Sequence, residues 1–224
     1  MKLVLYLIGL VFLVIVASFL IPVPEGDGDP GRNLPWQITV DGQGGSTVFG
    51  LQPGRSTLAD LKAVFGNQPE VAIIARPDEL GAVEAYYSEV TLGFVQARLV
   101  AALDVDPATV EAMRERALKA KHMESTTRKI TLHPDDLAQL EKAAVKSLAV
   151  IPAANLDEAA IVQRFGPPAE RLPVGEKQVH LFYPQLGLDV TVNAEGKEAL
   201  QYVAPRDFAL LREPLREPPG AGGG

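Results

Sequence analysis

The chain contains no cysteine among its 224 residues. Disulfide bonds, a thiol nucleophile, thiolate metal ligands and a lipid anchor on an N-terminal cysteine are therefore excluded. The three histidines (His122, His133 and His180) do not pair at metal-ligand spacing and form no His-Glu-x-x-His pattern. A Gly-x-Ser-x-Gly elbow and a phosphate-binding loop are also missing. The sequence thus predicts no catalytic, cofactor-binding or metal-binding residues, no cofactor and no bound metal.

The chain also has no excess of basic over acidic residues. The chain has 21 Lys and Arg residues against 28 Asp and Glu residues, which gives a formal net charge of −7 at pH 7. A mildly acidic chain without a long basic run is a poor candidate for nucleic-acid binding. Paired acids such as Asp135 and Asp136 stand at predicted helix starts, where capping and the helix dipole account for them. These residues therefore give no sign of acid–base catalysis.

The longest apolar run is at the N-terminus. Residues 3–21 carry no charge, and 15 of these 19 residues are Leu, Ile, Val or Phe. As a helix the run is about 28 Å long, close to the thickness of a hydrocarbon core, and Pro22 and Pro24 end it. We expect a transmembrane anchor within residues 1–23 that contacts the lipid bilayer through residues 3–21. The alternative is a cleaved signal peptide, which has a shorter apolar core and a small-x-small cleavage site.

The charges on either side of this run predict its orientation. Lys2 precedes the run, whereas three acids follow it before the first arginine, namely Glu25, Asp27 and Asp29. By the positive-inside rule the N-terminus lies in the cytoplasm. The main domain is then extracytoplasmic, and it is periplasmic if the source is a Gram-negative bacterium.

Two segments, one hundred residues apart, are alike. Residues 56–66 predict a short helix that ends in Phe-Gly, and residues 155–166 predict another that also ends in Phe-Gly. Each helix is followed by two predicted strands joined by a tight turn. In the second copy, residues 186–193 alternate between apolar and polar side chains, which is typical of a strand with one buried face. A unit consisting of a helix and an antiparallel meander is therefore predicted twice.

The stretch between the two units has helical patterns. Asp106 and Pro107 begin one predicted helix, which runs to about His122, and Pro134 begins another that runs through Ala144. Residues 128–132 predict a short strand between these helices. The predicted fold class is α+β, with two repeated helix-plus-antiparallel-meander units, a helical insert and one preceding transmembrane helix. The predicted segments are an anchor (1–23), a linker (24–34), the first repeat (35–103), the insert (104–150), the second repeat (151–211) and a disordered tail (212–224).

Residues 54–66 (GRSTLADLKAVFG) resemble the opening helix of the BamE-like (SmpA/OmlA) envelope lipoprotein domain, and residues 182–190 (FYPQLGLDV) resemble the strands behind it. Two such units in tandem are similar to the layout of the secreted β-lactamase-inhibitor protein. The resemblance implies small extracytoplasmic modules that bind other proteins without catalysis. The chain departs from the family because it has no lipid-attachment cysteine and no Gly-x-Ser/Thr opening in the second unit.

Adjacent aromatic residues stand in a predicted strand of each unit. Because side chains alternate along a strand, one member of each pair faces away from the covering helix. Exposed aromatics on an uncovered sheet face mark a partner site. The hypothetical partner-binding residues are Tyr86, His180, Phe182, Asp189 and Thr191.

Together these patterns predict a membrane-anchored extracytoplasmic module of the cell envelope that binds or scaffolds another envelope protein. The alternative is an envelope enzyme whose polar site is assembled from residues distant in sequence. A mainly structural envelope protein without a discrete site is a third possibility.

Overall fold

A computed structural model of the chain describes residue 31, residues 33–123 and residues 127–215. The predicted anchor at residues 3–21 lies outside the described residues, as do most of the predicted linker and residues 216–224 of the predicted tail. None of the helices in the described part of the chain has the length and hydropathy needed to cross a bilayer.

Ten of the described strands form one sheet in which every neighbouring pair is antiparallel. A short hairpin of β1 (Thr39–Val40) and β2 (Ser46–Thr47) stands apart from it. The sheet strands are β3 (Glu70–Ala75), β4 (Ala82–Leu92), β5 (Val95–Asp104), β6 (Lys119–His122), β7 (Arg128–Thr131), β8 (Ala144–Pro152), β9 (Glu170–Val174), β10 (Gln178–Tyr183), β11 (Leu188–Asn193) and β12 (Ala199–Tyr202). Their order across the sheet is β6-β7-β3-β4-β5-β8-β12-β11-β10-β9.

The helices of the described residues are short. They are α1 (Leu58–Phe65), α2 (Pro107–Glu115), α3 (Pro134–Leu140), α4 (Glu158–Phe165) and α5 (Ala209–Arg212). Thr57 begins α1 with a reciprocal capping box to Asp60, and the carboxylates of Asp106 and Asp157 accept backbone N–H groups at the starts of α2 and α4. The described residues also form three short 3-10 helices, at Pro184–Leu186, Pro205–Asp207 and Glu213–Leu215.

The main hydrophobic core lies on one face of the sheet. Helices α1 to α4 each place buried apolar side chains in it, among them Leu61, Met113, Leu140 and Ile161. The strands contribute alternate residues, such as Leu99 of β5. We call the opposite face of the sheet, which bears the other set of alternate residues, the outer face.

The two segments that end in Phe-Gly make the same contact with the sheet. The hydroxyl of Tyr87 on β4 donates to the carbonyl oxygen of Gly66 at 2.8 Å, and the hydroxyl of Tyr183 on β10 donates to that of Gly166 at 3.0 Å. Burial, reinforced by the nearby Glu141 carboxylate, raises the pKa of Tyr87 to about 12, so this tyrosine remains a donor above the pH at which an ordinary tyrosine ionises. Each bond ties the end of a helix to the strand beneath it.

The predicted fold class is wrong, because the described part of the chain forms one large antiparallel sheet with few helices. The predicted helical insert at 104–150 contributes three of the ten strands. Its last strand, β8, pairs with β5 on one side and with β12 on the other, so the sheet continues from one predicted repeat into the next. The α2 helix ends at Glu115 rather than near His122, and β6 begins at Lys119.

Candidate functional site

Four of the five predicted partner-binding residues meet on the outer face of β10 and β11. His180 lies opposite Thr191, and Phe182 lies opposite Asp189. The period-two alternation thus places them on the expected side of the sheet. All four are nevertheless buried, with Phe182 at 0% and Asp189 at 1% relative exposure. The expectation that Phe182 is exposed is therefore wrong.

The chain's own C-terminal segment, residues 203–215, covers Phe182. The ring of Phe208 meets the ring of Phe182 edge-on at 5.6 Å, and Leu211 and Leu215 pack on the same small cluster. Arg212 at the end of α5 forms an ion pair with Glu170 on β9. A partner that contacted Phe182 would first have to displace this segment. Partner binding at these four residues stays a prediction.

Beside the Phe182 cluster, His180 and Asp189 form a buried polar pair. Nδ1 of His180 lies 2.7 Å from Oδ2 of Asp189 and 3.3 Å from the hydroxyl of Thr191. Burial raises the pKa of Asp189, and the hydrogen bond from His180 partly offsets that rise. In a Ser-His-Asp triad the carboxylate and the nucleophile contact opposite ring nitrogens. In this cluster both contacts use Nδ1, so the geometry is that of a structural hydrogen-bond network.

The fifth predicted residue, Tyr86, lies on the same outer face about four strands away, where the C-terminal segment does not reach. Tyr86 is half-buried and lines a groove of about 370 Å³, which we call the Tyr86 groove. Its walls and floor come from strands β3, β4, β5 and β7 and from Met123, which directly follows β6. The lining residues are Glu70, Ala72, Ile74, Glu84, Tyr86, Arg98, Val100, Met123 and Lys129.

The strand register explains the shape of the Tyr86 groove. Glu84 on β4 has Ala72 of β3 on one side and Ala102 of β5 on the other. These two small side chains leave a hollow around the Glu84 carboxylate. In the next row Tyr86 stands between Glu70 and Val100, so a larger side chain bounds the hollow.

Of the two acids that line the groove, one is paired with a basic side chain among the described residues and the other is not. Glu70 forms an ion pair with Lys129 across β3 and β7, and Arg98 stands exposed on β5. Within the part of the chain that the structure describes, no hydrogen bond or ion pair reaches the carboxylate of Glu84. Burial alone raises its pKa. The groove therefore combines an apolar floor with one half-buried acid that lacks a counter-charge.

Sequence reasoning missed Glu84, although the same alternation that points Tyr86 outward also points the residue two positions earlier to that face. Nothing in the sequence predicts that Ala72, Val100 and Met123 line the same groove, because they come from two different strands and a turn. Their proximity depends on the order of strands in the sheet, which local sequence patterns do not encode.

Searches against protein-family models, curated proteins and solved structures give no match for this chain. Among the described residues, no group of three or more His, Asp or Glu side chains is placed to hold a metal ion. The geometry of the outer face is therefore the basis for inferring a function.

Proposed function

We propose that this chain is a protein-binding module of the cell envelope that is tethered to a membrane by residues 3–21. Its partner, another protein of the envelope, docks on the outer face of the sheet at the Tyr86 groove. The tether, inferred from the apolar sequence of residues 3–21, confines the module near the bilayer. Confinement raises the effective concentration of membrane-bound partners around the groove.

A contrast between the two halves of the outer face carries the proposal. Over β9 to β11 the face is covered by an apolar segment of the same chain, which buries Phe182. Over β3 to β5 the described residues leave the same kind of surface open, with Tyr86 half-buried beside the apolar Val100. An aromatic-lined apolar groove with a polar rim is the usual anatomy of a protein-binding site.

The resemblance of residues 54–66 and 182–190 to BamE-like envelope modules forms part of the proposal, because those modules bind other proteins without catalysis. The mildly acidic composition and the extracytoplasmic orientation inferred from Lys2 are compatible with the same role.

Substitution of a groove residue tests the proposal. Val100→Arg places a long charged side chain on the groove floor, whereas Gln96→Arg makes the same addition at an exposed position on the same face of β5. Both full-length variants are expressed in their native membranes, treated with a cleavable crosslinker and compared with the unaltered chain. We expect Val100→Arg to abolish the crosslinked complexes and Gln96→Arg to leave them unchanged.

The melting temperature of each variant controls for misfolding. If Val100→Arg folds normally and the crosslinked complexes persist, the groove is not the docking site and the proposed function fails.

A further inference from the structure

The unpaired acid in the Tyr86 groove indicates the chemistry of its occupant. Building on the protein-binding function proposed above, we propose that the groove receives a short segment of a separate protein in which an apolar side chain stands within about four residues of a Lys or Arg. The apolar side chain packs on Tyr86 and Val100, and the basic side chain pairs with Glu84.

The surroundings of Glu84 are the first support. Its neighbours across the strands, Ala72 and Ala102, carry only methyl groups and offer no hydrogen bond. A carboxylate that is half-buried without a partner is costly in its charged form, and its pKa is accordingly raised. A cation entering the groove would remove that cost. The free acid therefore favours a basic ligand over an acidic or neutral one.

The other charged groups that face the groove determine where a cation can go. Glu70 is already paired with Lys129, and these two side chains largely neutralise each other. Arg98 stands two residues before Val100 on β5, which places it on the side of Tyr86 away from Glu84. A basic side chain is thus attracted to the Glu84 end and repelled from the Arg98 end.

The covered half of the outer face gives the second support, because it shows what kind of segment this sheet accepts. There Phe182 stands beside Glu170 in register, as Tyr86 stands beside Glu70. The occupant of that half packs Phe208 on Phe182 and, four residues later, pairs Arg212 with Glu170. An apolar side chain followed at short distance by a basic one is the chemistry proposed for the open half.

The residues two positions before these aromatics complete the comparison. His180 precedes Phe182 by two residues and has Asp189 at 2.7 Å, whereas Glu84 precedes Tyr86 by two residues and has no partner among the described residues. In the covered half both acids, Asp189 and Glu170, therefore have a basic partner within the chain, although Oδ1 of Asp189 and Nε of Arg212 have no hydrogen-bond partner in the described part of it. The open half lacks one cation, and we infer that the partner supplies it.

A separate protein fits better than a second copy of this chain. The segment that occupies the covered half, residues 208–212, cannot supply the cation, because Phe208 is buried at 6% exposure and Arg212 is paired with Glu170. In a second copy the same segment would be engaged in the same way. It would have to leave one sheet face in order to occupy another.

Selection from a library of random twelve-residue peptides displayed on phage tests the proposal. The bait is the full-length chain in detergent micelles. The matched variants are Glu84→Gln, which removes the charge at nearly constant shape, and Glu89→Gln, the same change at an exposed position of β4 outside the groove. Analytical ultracentrifugation of the same samples reports the oligomeric state.

We expect the selected peptides to share an apolar residue within about four positions of a Lys or Arg. Glu84→Gln should weaken their binding about tenfold or more, which is typical for a charge-assisted contact, and Glu89→Gln should not change it. Peptides without a basic residue, no selected peptides, or equal binding to Glu84→Gln would overturn the proposal. A dimer that Glu84→Gln dissociates would also overturn it, because a second copy would then be the occupant.

The two experiments separate docking at the groove from recognition of a basic side chain by Glu84. If Val100→Arg abolishes crosslinking while the peptides show no basic preference, the groove binds a protein but not through Glu84. If Val100→Arg leaves crosslinking intact, docking at the groove itself is wrong.

Discussion

Truncation of Phe182 should destabilise the whole sheet, because this ring is fully buried between the outer face and the C-terminal segment. Replacing a buried Phe by Ala costs about 3–5 kcal/mol, including the edge-on contact with Phe208 that is lost. For a domain of this size each kcal/mol lowers the melting temperature by about 2–4 °C. We therefore expect Phe182→Ala to lower it by about 6–20 °C.

The assays are thermal unfolding, which gives the melting temperature, and urea unfolding, which gives the free energy, each of the full-length chain and followed by circular dichroism. Phe94→Ala makes the same chemical change at a ring that is 63% exposed and touches Trp36 at a centroid distance of 5.9 Å, so its cost should stay below about 1 kcal/mol. If Phe182→Ala costs no more than Phe94→Ala, the C-terminal segment does not cover Phe182. The ring would then be a free surface residue.

Two further predictions concern single residues. Gly187 has a positive φ of 67°, and an added Cβ would stand 2.1 Å from the carbonyl oxygen of Val203, whereas Gly175 has φ 65° and open space. Gly187→Ala should therefore cost about 1–3 kcal/mol more than Gly175→Ala in urea unfolding, and equal costs would contradict the close approach. Because burial raises the pKa of Glu84 in the folded chain, the native carboxyl holds its proton at a pH where the unfolded one has lost it. The unaltered chain should lose stability relative to Glu84→Gln as pH rises above the ordinary pKa of a glutamate, about 4, and a relative gain would show that Glu84 is paired.

Parts of the fold were predictable because their signals are local. The strand predicted from the alternation of residues 186–193 is confirmed by β11, which spans Leu188–Asn193. Leu188 and Val190 lie in the main core, and Asp189 lies on the outer face. The Phe-Gly segments end α1 and α4 because Gly66 and Gly166 adopt positive φ values of 97° and 79°. Both signals depend on residues adjacent in sequence.

The central strand β8 was missed because its beginning has a helical pattern. Leu137, Leu140 and Ala144 recur at spacings of three and four, although α3 ends at Leu140. The alternation of Leu148 and Val150 was a competing strand signal within the same stretch. Pairing with β5 and β12, each more than thirty residues away in sequence, favours the strand.

For the candidate site, alternation correctly placed Phe182 and Tyr86 away from the main core, but it could not show what covers that face. The cover over Phe182 is the segment 203–215, whose α-helix, Ala209–Arg212, is too short to show helical periodicity. Whether an outward ring is covered or open is decided by such distant segments.

Photo-crosslinking from within the groove tests the central claim most directly. A benzophenone side chain replaces Tyr86 in the full-length chain, and a control chain carries it at Gln163, an exposed position on α4 over the opposite face of the sheet. Irradiation of intact membranes should join the Tyr86 position, but not the Gln163 position, to one discrete envelope protein. Equal labelling from both positions, or none from Tyr86, would contradict a docking site on the open half of the outer face.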